Sequence, residues 1–214
     1  IIYNNNIWFY LNNKNYLYIS MEIPIVLYTD HIVNKTVCYN FAKGCDALLC
    51  HVNNFREYNR TIATYGVLRG TFEKIQKVKN YYYIDHGYFN QSERSFENKR
   101  TNVLNLDGYF RIVLNNFIHN GKGNYPNDRL NKLDLKFANL NKFGEYIILS
   151  EPSDAMKKIY DAKNWINDTR KLIQKYTDRK IIIHNKFSKE PLDALLVNAR
   201  AFVSLQSTAG FKAM

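Results

Sequence analysis

Proline and glycine are scarce, four and nine in 214 residues, which excludes a collagen-like or low-complexity chain. Cysteine is scarcer still. Cys38, Cys45 and Cys50 form an odd set with no C-x-x-C pair, so a disulfide framework does not organise this chain. With His51 they fall at spacings of seven and five residues, which do not match a zinc knuckle, and no metal ligand set is read. The expected state is free, buried thiols in a reducing, cytoplasmic compartment. No stretch supplies the ~20 apolar residues of a membrane span. Acid is in short supply, 19 Asp and Glu against 30 Lys and Arg, giving a net charge of +11. That balance favours nucleic acid, nucleotide-linked substrates or an acidic membrane surface as partners, and it equally describes a well-solvated basic surface.

What is present is a core: 46% of residues are apolar. The clearest pattern lies in the last seventy residues. Tyr146, Ile147, Ile148 and Leu149 read as a strand, followed by a polar turn over 150–154 and a long helix to about Tyr176. A second strand covers 180–184, a short helix 191–199, a third strand 201–205, and a helix begins at Ser207. Apolar runs of four or five, each followed by a turn and a helical pattern, predict βαβ units with a parallel sheet covered on both faces. Ligands of such sheets sit beyond the carboxyl ends of the strands, where helix N-termini offer backbone N–H groups. Here those ends carry 150–154, 184–186 and 206–208.

Residues 1–20 contrast with everything after them, being Asn, Tyr and aliphatics with Lys14 as the single charge. They lack the basic start and cleavage site of a signal peptide. Met21 reads as the native start, with 1–20 an upstream translation or a loosely attached segment; a β-hairpin around Asn12 and Asn13 is the structural alternative. From there the same grammar returns: a strand over 23–28, a helix over 34–43 stopped by Gly44, a strand over 47–52, a helix over 56–79 interrupted by Gly66 and Gly70, and a strand over 81–84. Residues 91–102 read as a loop, 108–114 as a strand and 119–126 as an exposed Gly/Asn-rich loop. The predicted organisation is one Rossmann-like domain over 21–140 and a second over 141–214.

Several residues can carry chemistry. Asp85 and His86 end a strand as a carboxylate beside an imidazole, the pair a general base requires if the chain turns so that both act together. Asp30 and His31 end the first strand in the same way and serve equally well as caps for the next helix. Arg111, His119 and Lys122 are cations placed to meet an anion. The Gly121-Lys122-Gly123 run is not a Walker loop, which needs Gly-x4-Gly-Lys-Ser/Thr between strand and helix. On the tail, Ser150, Pro152, Ser153, Ser207 and Thr208 are helix-start residues, and His184 and Lys186 follow a strand where a cation suits a diphosphate. Trp165 and Tyr160 read as packing residues.

The segments YIILSEPSD, DRKIIIHNKF and ARAFVSLQSTAGFKAM together resemble the donor-binding half of glycosyltransferases of the GT-B fold. With YYYIDHGYF, GYFRIVLNNF and GKGNYPNDR, the chain is similar to glycosyltransferase-like proteins of tailed phages and some marine bacteria, over about residues 23–214. The resemblance implies two Rossmann-like domains facing a cleft and a nucleotide-sugar co-substrate, with no metal or other cofactor, acting in the cytoplasm of a host cell. It places Ser150, Pro152 and Ser153 on the first donor loop, and Lys186, Ser207 and Thr208 at the diphosphate. Asp85 and His86 then face the acceptor, a glycan or modified DNA. One departure stands out. GT-B enzymes often carry a Glu in the final helix to hold the ribose, and Lys212 occupies the comparable place. The Gly-x-Pro turn that usually follows falls beyond Met214, so the second domain is expected to be incomplete. A non-catalytic binding module on the same fold is the alternative.

Overall fold

The computed structural model describes residues 2–3, 6–7, 22–89, 94–97, 100–104, 109–118, 127–133, 135 and 141–214; strands 2–3, 6–7, 94–97 and 100–104 and residues 129–130 are described by their backbone. The chain divides into two compact units, Ile1–Leu133 and Asp134–Met214.

In the first unit β1 (Ile2–Tyr3) and β2 (Asn6–Ile7) form a small antiparallel pair. The sequence-predicted turn at Asn12 and Asn13 lies outside the described residues. The main sheet begins with β3 (Ile25–Tyr28) and continues through α1 (Ile32–Cys45) to β4 (Leu49–His51). Helix α1 forms because its buried, mostly apolar positions recur in pairs four residues apart. Val33 and Asn34, Val37 and Cys38, then Phe41 and Ala42 make one buried stripe against Val26 and Ala63 of the sheet. Gly44 does not stop the helix as expected. Asp46 takes the left-handed conformation instead, and Ala47 N–H closes on Ala42 O at 2.9 Å.

The helix predicted over 56–79 is replaced by β5 (Ile62–Tyr65), a loop, and the short α2 (Thr71–Ile75). Every residue of β5 is buried. A short apolar run rich in β-branched residues reads equally as strand or helix by period, and burial between two strands decides it. Gly66 and Gly70, both at positive φ, then supply the turn that leaves the sheet.

Next come β6 (Tyr81–His86), β7 (Arg94–Glu97), β8 (Arg100–Leu104) and β9 (Phe110–Leu114), then one helical turn, α3 (Asp128–Asn131). Within 91–102, expected as loop, residues 94–97 and 100–102 belong instead to the antiparallel pair of β7 with β8. The main sheet runs β4-β3-β5-β6-β9, parallel apart from β9, which pairs antiparallel at the edge.

The second unit holds β10 (Tyr146–Ser150), α4 (Asp154–Ile159), α5 (Trp165–Ile173), β11 (Lys180–His184), α6 (Leu192–Leu196), β12 (Ala199–Ser204) and α7 (Ala209–Lys212). All three strands are parallel, in the order β11-β10-β12. The long helix expected to Tyr176 is two helices. Asp161 adopts the left-handed conformation, Asp161 N–H reaches Lys158 O and Ala162 N–H reaches Lys157 O, a Schellman closure that ends α4. Ile148, Leu195 and Ala199 form the core between sheet and α6. In neither α4 nor α5 is any residue fully buried, so this layer is thinner than the two-faced cover the sequence predicts.

Two positions test this packing. A Cβ on Gly144 would lie 2.3 Å from Arg200 N and 2.5 Å from Ala199 C, both backbone atoms of β12. Gly144→Ala should therefore destabilise the second unit by about 2 kcal/mol or more in urea denaturation. Asn34→Ala should cost a similar ~2–4 kcal/mol in the first unit, because it strands a buried donor and a buried acceptor, described next.

Candidate functional site

In each parallel sheet the first strand, β3 or β10, has a neighbour on both sides: the chain leaves it to one side, then returns on the other. The crevice beyond the carboxyl ends, where the order reverses, falls between β3 and β5 in the first unit and between β10 and β12 in the second.

The first of these is stitched shut by a side chain. Asn34, 5% exposed, accepts from Thr29 N–H through Oδ1 at 2.7 Å and donates from Nδ2 to Tyr65 O at 2.7 Å. Both strand ends are thereby tied to the first turn of α1. Asp30 and His31 stand beside this clamp. His31 holds the N-cap position of α1 without a side-chain cap bond, and Asp30, almost fully exposed, pairs with His51 at 3.4 Å. Neither therefore caps α1 with its side chain.

The side chains of Asp85 and His86 do not meet. The strand continues through His86, so the two side chains take opposite faces. Asp85 accepts from Tyr83 OH and Arg111 Nη2, each at 2.8 Å, and touches its neighbour only through His86 N–H. Tyr83 and Asp85 share a face, and Arg111 is the cross-strand partner of Asp85 on β9. The guanidinium of Arg111 lies 4.7 Å from the Tyr88 ring and 5.8 Å from the Tyr83 ring, and its buried Nε has no hydrogen-bond partner. Burial first, and the adjacent Asp85 second, push the Tyr83 phenol far above its ordinary range, so it remains a donor. On the other face, the His86 ring meets Tyr65 OH at 2.7 Å through Nε2 and stacks on Phe110, its register partner, at 5.6 Å. Tyr65 thus takes the place the sequence gave to Asp85. No pattern in the sequence marks Tyr65, because its role depends on β5 lying next to β6. His119 and Lys122 lie outside the described residues.

The second unit assembles its predicted residues along one edge. Ser150 is in register with His184 on one side and Ser204 on the other. Pro152 is buried in the loop that follows β10, and Ser153 caps α4 by accepting from Met156 N–H at 3.4 Å. His184 Nε2 lies 3.2 Å from Glu190 O. The loop after β12 carries Gln206 at positive φ, then Ser207, whose Oγ accepts from Ala209 N–H, and Thr208. Gln206 is bonded by Tyr160 OH, so Tyr160 joins the end of α4 to this loop and is more than packing.

Glu151, which sequence reasoning passes over, organises the rim. It accepts from Lys157 Nζ at 2.8 Å and from Asn185 Nδ2 at 3.0 Å, and its backbone N–H binds His184 O. These bonds, Lys157 first and Asn185 second, hold its carboxyl below the ordinary range near 4.5. Lys212, in the short α7, pairs with Asp193 of α6 at 3.4 Å. Among the described residues Lys186 forms no ion pair; its ammonium rests 4.8 Å from the Phe187 ring.

Among the described residues no group of His, Cys, Asp or Glu is arranged to hold a metal, and no helix is long and apolar enough to cross a membrane. Comparison with protein-family models finds no match, and comparisons with curated proteins and with solved structures find none either.

Two outcomes follow. Cys38 is buried and its thiol is pushed up to about 12 by burial, so it should stay silent to a thiol-specific reagent in the native chain and react on unfolding. For Glu151 the folded pKa is the lower one, so its contribution is present above the unfolded value and lost as pH falls through the folded value. Glu151→Gln should lower the thermal midpoint near pH 7, and the difference from wild type should close as the pH drops below about 4.

Proposed function

We propose that the chain is a GT-B-like glycosyltransferase that takes a sugar from a nucleotide-sugar donor held at the carboxyl edge of the second unit's sheet. The observation that carries this reading is the alignment of Ser150, His184 and Ser204 at the ends of three parallel strands, with Ser153, Lys186, Ser207 and Thr208 on the loops that follow. A parallel sheet of this order binds its ligand at that edge, and a cation with no carboxylate partner suits a diphosphate. In this reading Lys186 and the Ser207 and Thr208 hydroxyls stabilise the leaving nucleoside diphosphate, the task a metal performs in other designs.

His86 is the proposed base for the acceptor hydroxyl. In this reading the imidazole, seated against the Tyr65 hydroxyl through Nε2, takes the proton of the acceptor. Asp85 has no part in orienting it. The net charge of +11 suits an acidic glycan or modified DNA as acceptor.

A second reading, a non-catalytic binding module for nucleic acid or glycan, is favoured by two observations. Lys212 is paired with Asp193 rather than offering a carboxylate to a ribose, and Asp85 is committed to Arg111 and Tyr83. Turnover separates the two. Incubation with UDP-, GDP- and CMP-sugars should release nucleoside diphosphate, or CMP from the last, from one donor class. His86→Ala should lower that rate about 100-fold or more with donor affinity unchanged. A rate untouched by His86→Ala removes the base assignment; donor binding with no turnover in the wild type leaves the binding module.

A further inference from the structure

The turn that follows β11 presents an aromatic ring to solvent in a way packing does not require. Phe187 is 81% exposed, which forgoes the stabilisation that burying an apolar side chain of this size would bring. Yet its backbone is fixed. Phe187 N–H donates to Asn185 Oδ1 at 2.9 Å, Ser188 N–H to Asn185 O at 3.0 Å, and Asn185 N–H to Ser188 Oγ at 2.9 Å. The turn is braced to the neighbouring loop as well, since Asn185 Nδ2 holds Glu151, which Lys157 holds in turn. An apolar ring is therefore held out at the carboxyl edge, with the ammonium of Lys186 against it at 4.8 Å.

A flat apolar surface beside a cation free of carboxylate partners complements a flat ring joined to an anion. A nucleobase stacks on an aromatic side chain through its π-face, and its phosphate then answers the adjacent cation. A neutral sugar ring would use the aromatic surface and leave the ammonium unanswered. We propose that Phe187 is the base-stacking platform of this edge and Lys186 its phosphate contact, together taking a nucleoside diphosphate. The pairing rests on the nucleotide reading of the second unit and adds the residue that recognises the base. Bracing of the turn supports it: the backbone that carries the ring is fixed before the ligand arrives, so less conformational entropy remains to be lost on binding.

Calorimetry on the full chain with UDP, GDP, CDP and ADP, and with inorganic pyrophosphate, tests this. The best nucleoside diphosphate should bind wild type, and Phe187→Ala should weaken it about tenfold while pyrophosphate affinity stays unchanged. Phe187→Tyr should retain binding, and Lys186→Gln should weaken nucleoside diphosphate and pyrophosphate alike. Because Phe187 is solvent-exposed, its replacement leaves the fold intact, and a matching thermal midpoint verifies that. Equal nucleoside diphosphate affinity in wild type and Phe187→Ala overturns the stacking assignment and leaves the nucleotide reading standing. If wild type binds none of the four, the nucleotide reading falls, and the platform with it.

Discussion

Parallel pairing sends the carboxyl end of every strand to the same edge of its sheet, and the loops that follow are gathered there whatever their separation in sequence. Ser150, His184 and Ser204 are up to 54 residues apart in the chain and become neighbours across three strands for this reason alone. The same constraint brings Thr29 and Tyr65 close enough for one amide, that of Asn34, to bind both. In the first unit the reversal point is thus filled by the protein's own side chain. In the second, the loops that flank it carry serines and Gln206, the latter at positive φ.

Charges at these edges divide into those already answered and those not. Asp85 is satisfied by Arg111 and Tyr83, and Glu151 by Lys157 and Asn185. A carboxylate so engaged holds loops in place and has little left to offer a substrate. Lys186 is different: it has an aromatic ring for a neighbour and no acidic partner among the described residues. The His86 ring meets a phenol and two aromatic rings, which keep it in position, while the Asp85 carboxylate reaches the backbone N–H of the same residue.

The second unit was largely legible in the sequence because its strands are short apolar runs of uniform period bounded by polar turns. Strand 180–184 falls where the pattern predicts it, and its neighbours are displaced by a residue or two. The break in the helix after Ile159 was not legible, since no glycine or proline marks it and Asp161 supplies the left-handed residue. Residues 62–65 were misread as helix because β-branched residues in a short run satisfy either period, and only the neighbouring strands β3 and β6 settle it. The candidate sites show the same limit. Residues at strand ends were readable from position, whereas Asn34, Tyr65, Glu151 and Asn185 act through partners 21 to 34 residues away that no local pattern encodes, Asn34 and Glu151 also through nearer ones.

The alignment of strand ends in the second unit, and its use as a nucleotide site, are tested most directly by amide chemical shifts recorded while a nucleoside diphosphate is added to the chain. Shifts confined to 150–154, 184–188 and 204–208 are the predicted result. Shifts centred on the opposite edge of that sheet, at 141–145, 176–180 and 197–199, or spread without focus over both units, would contradict it.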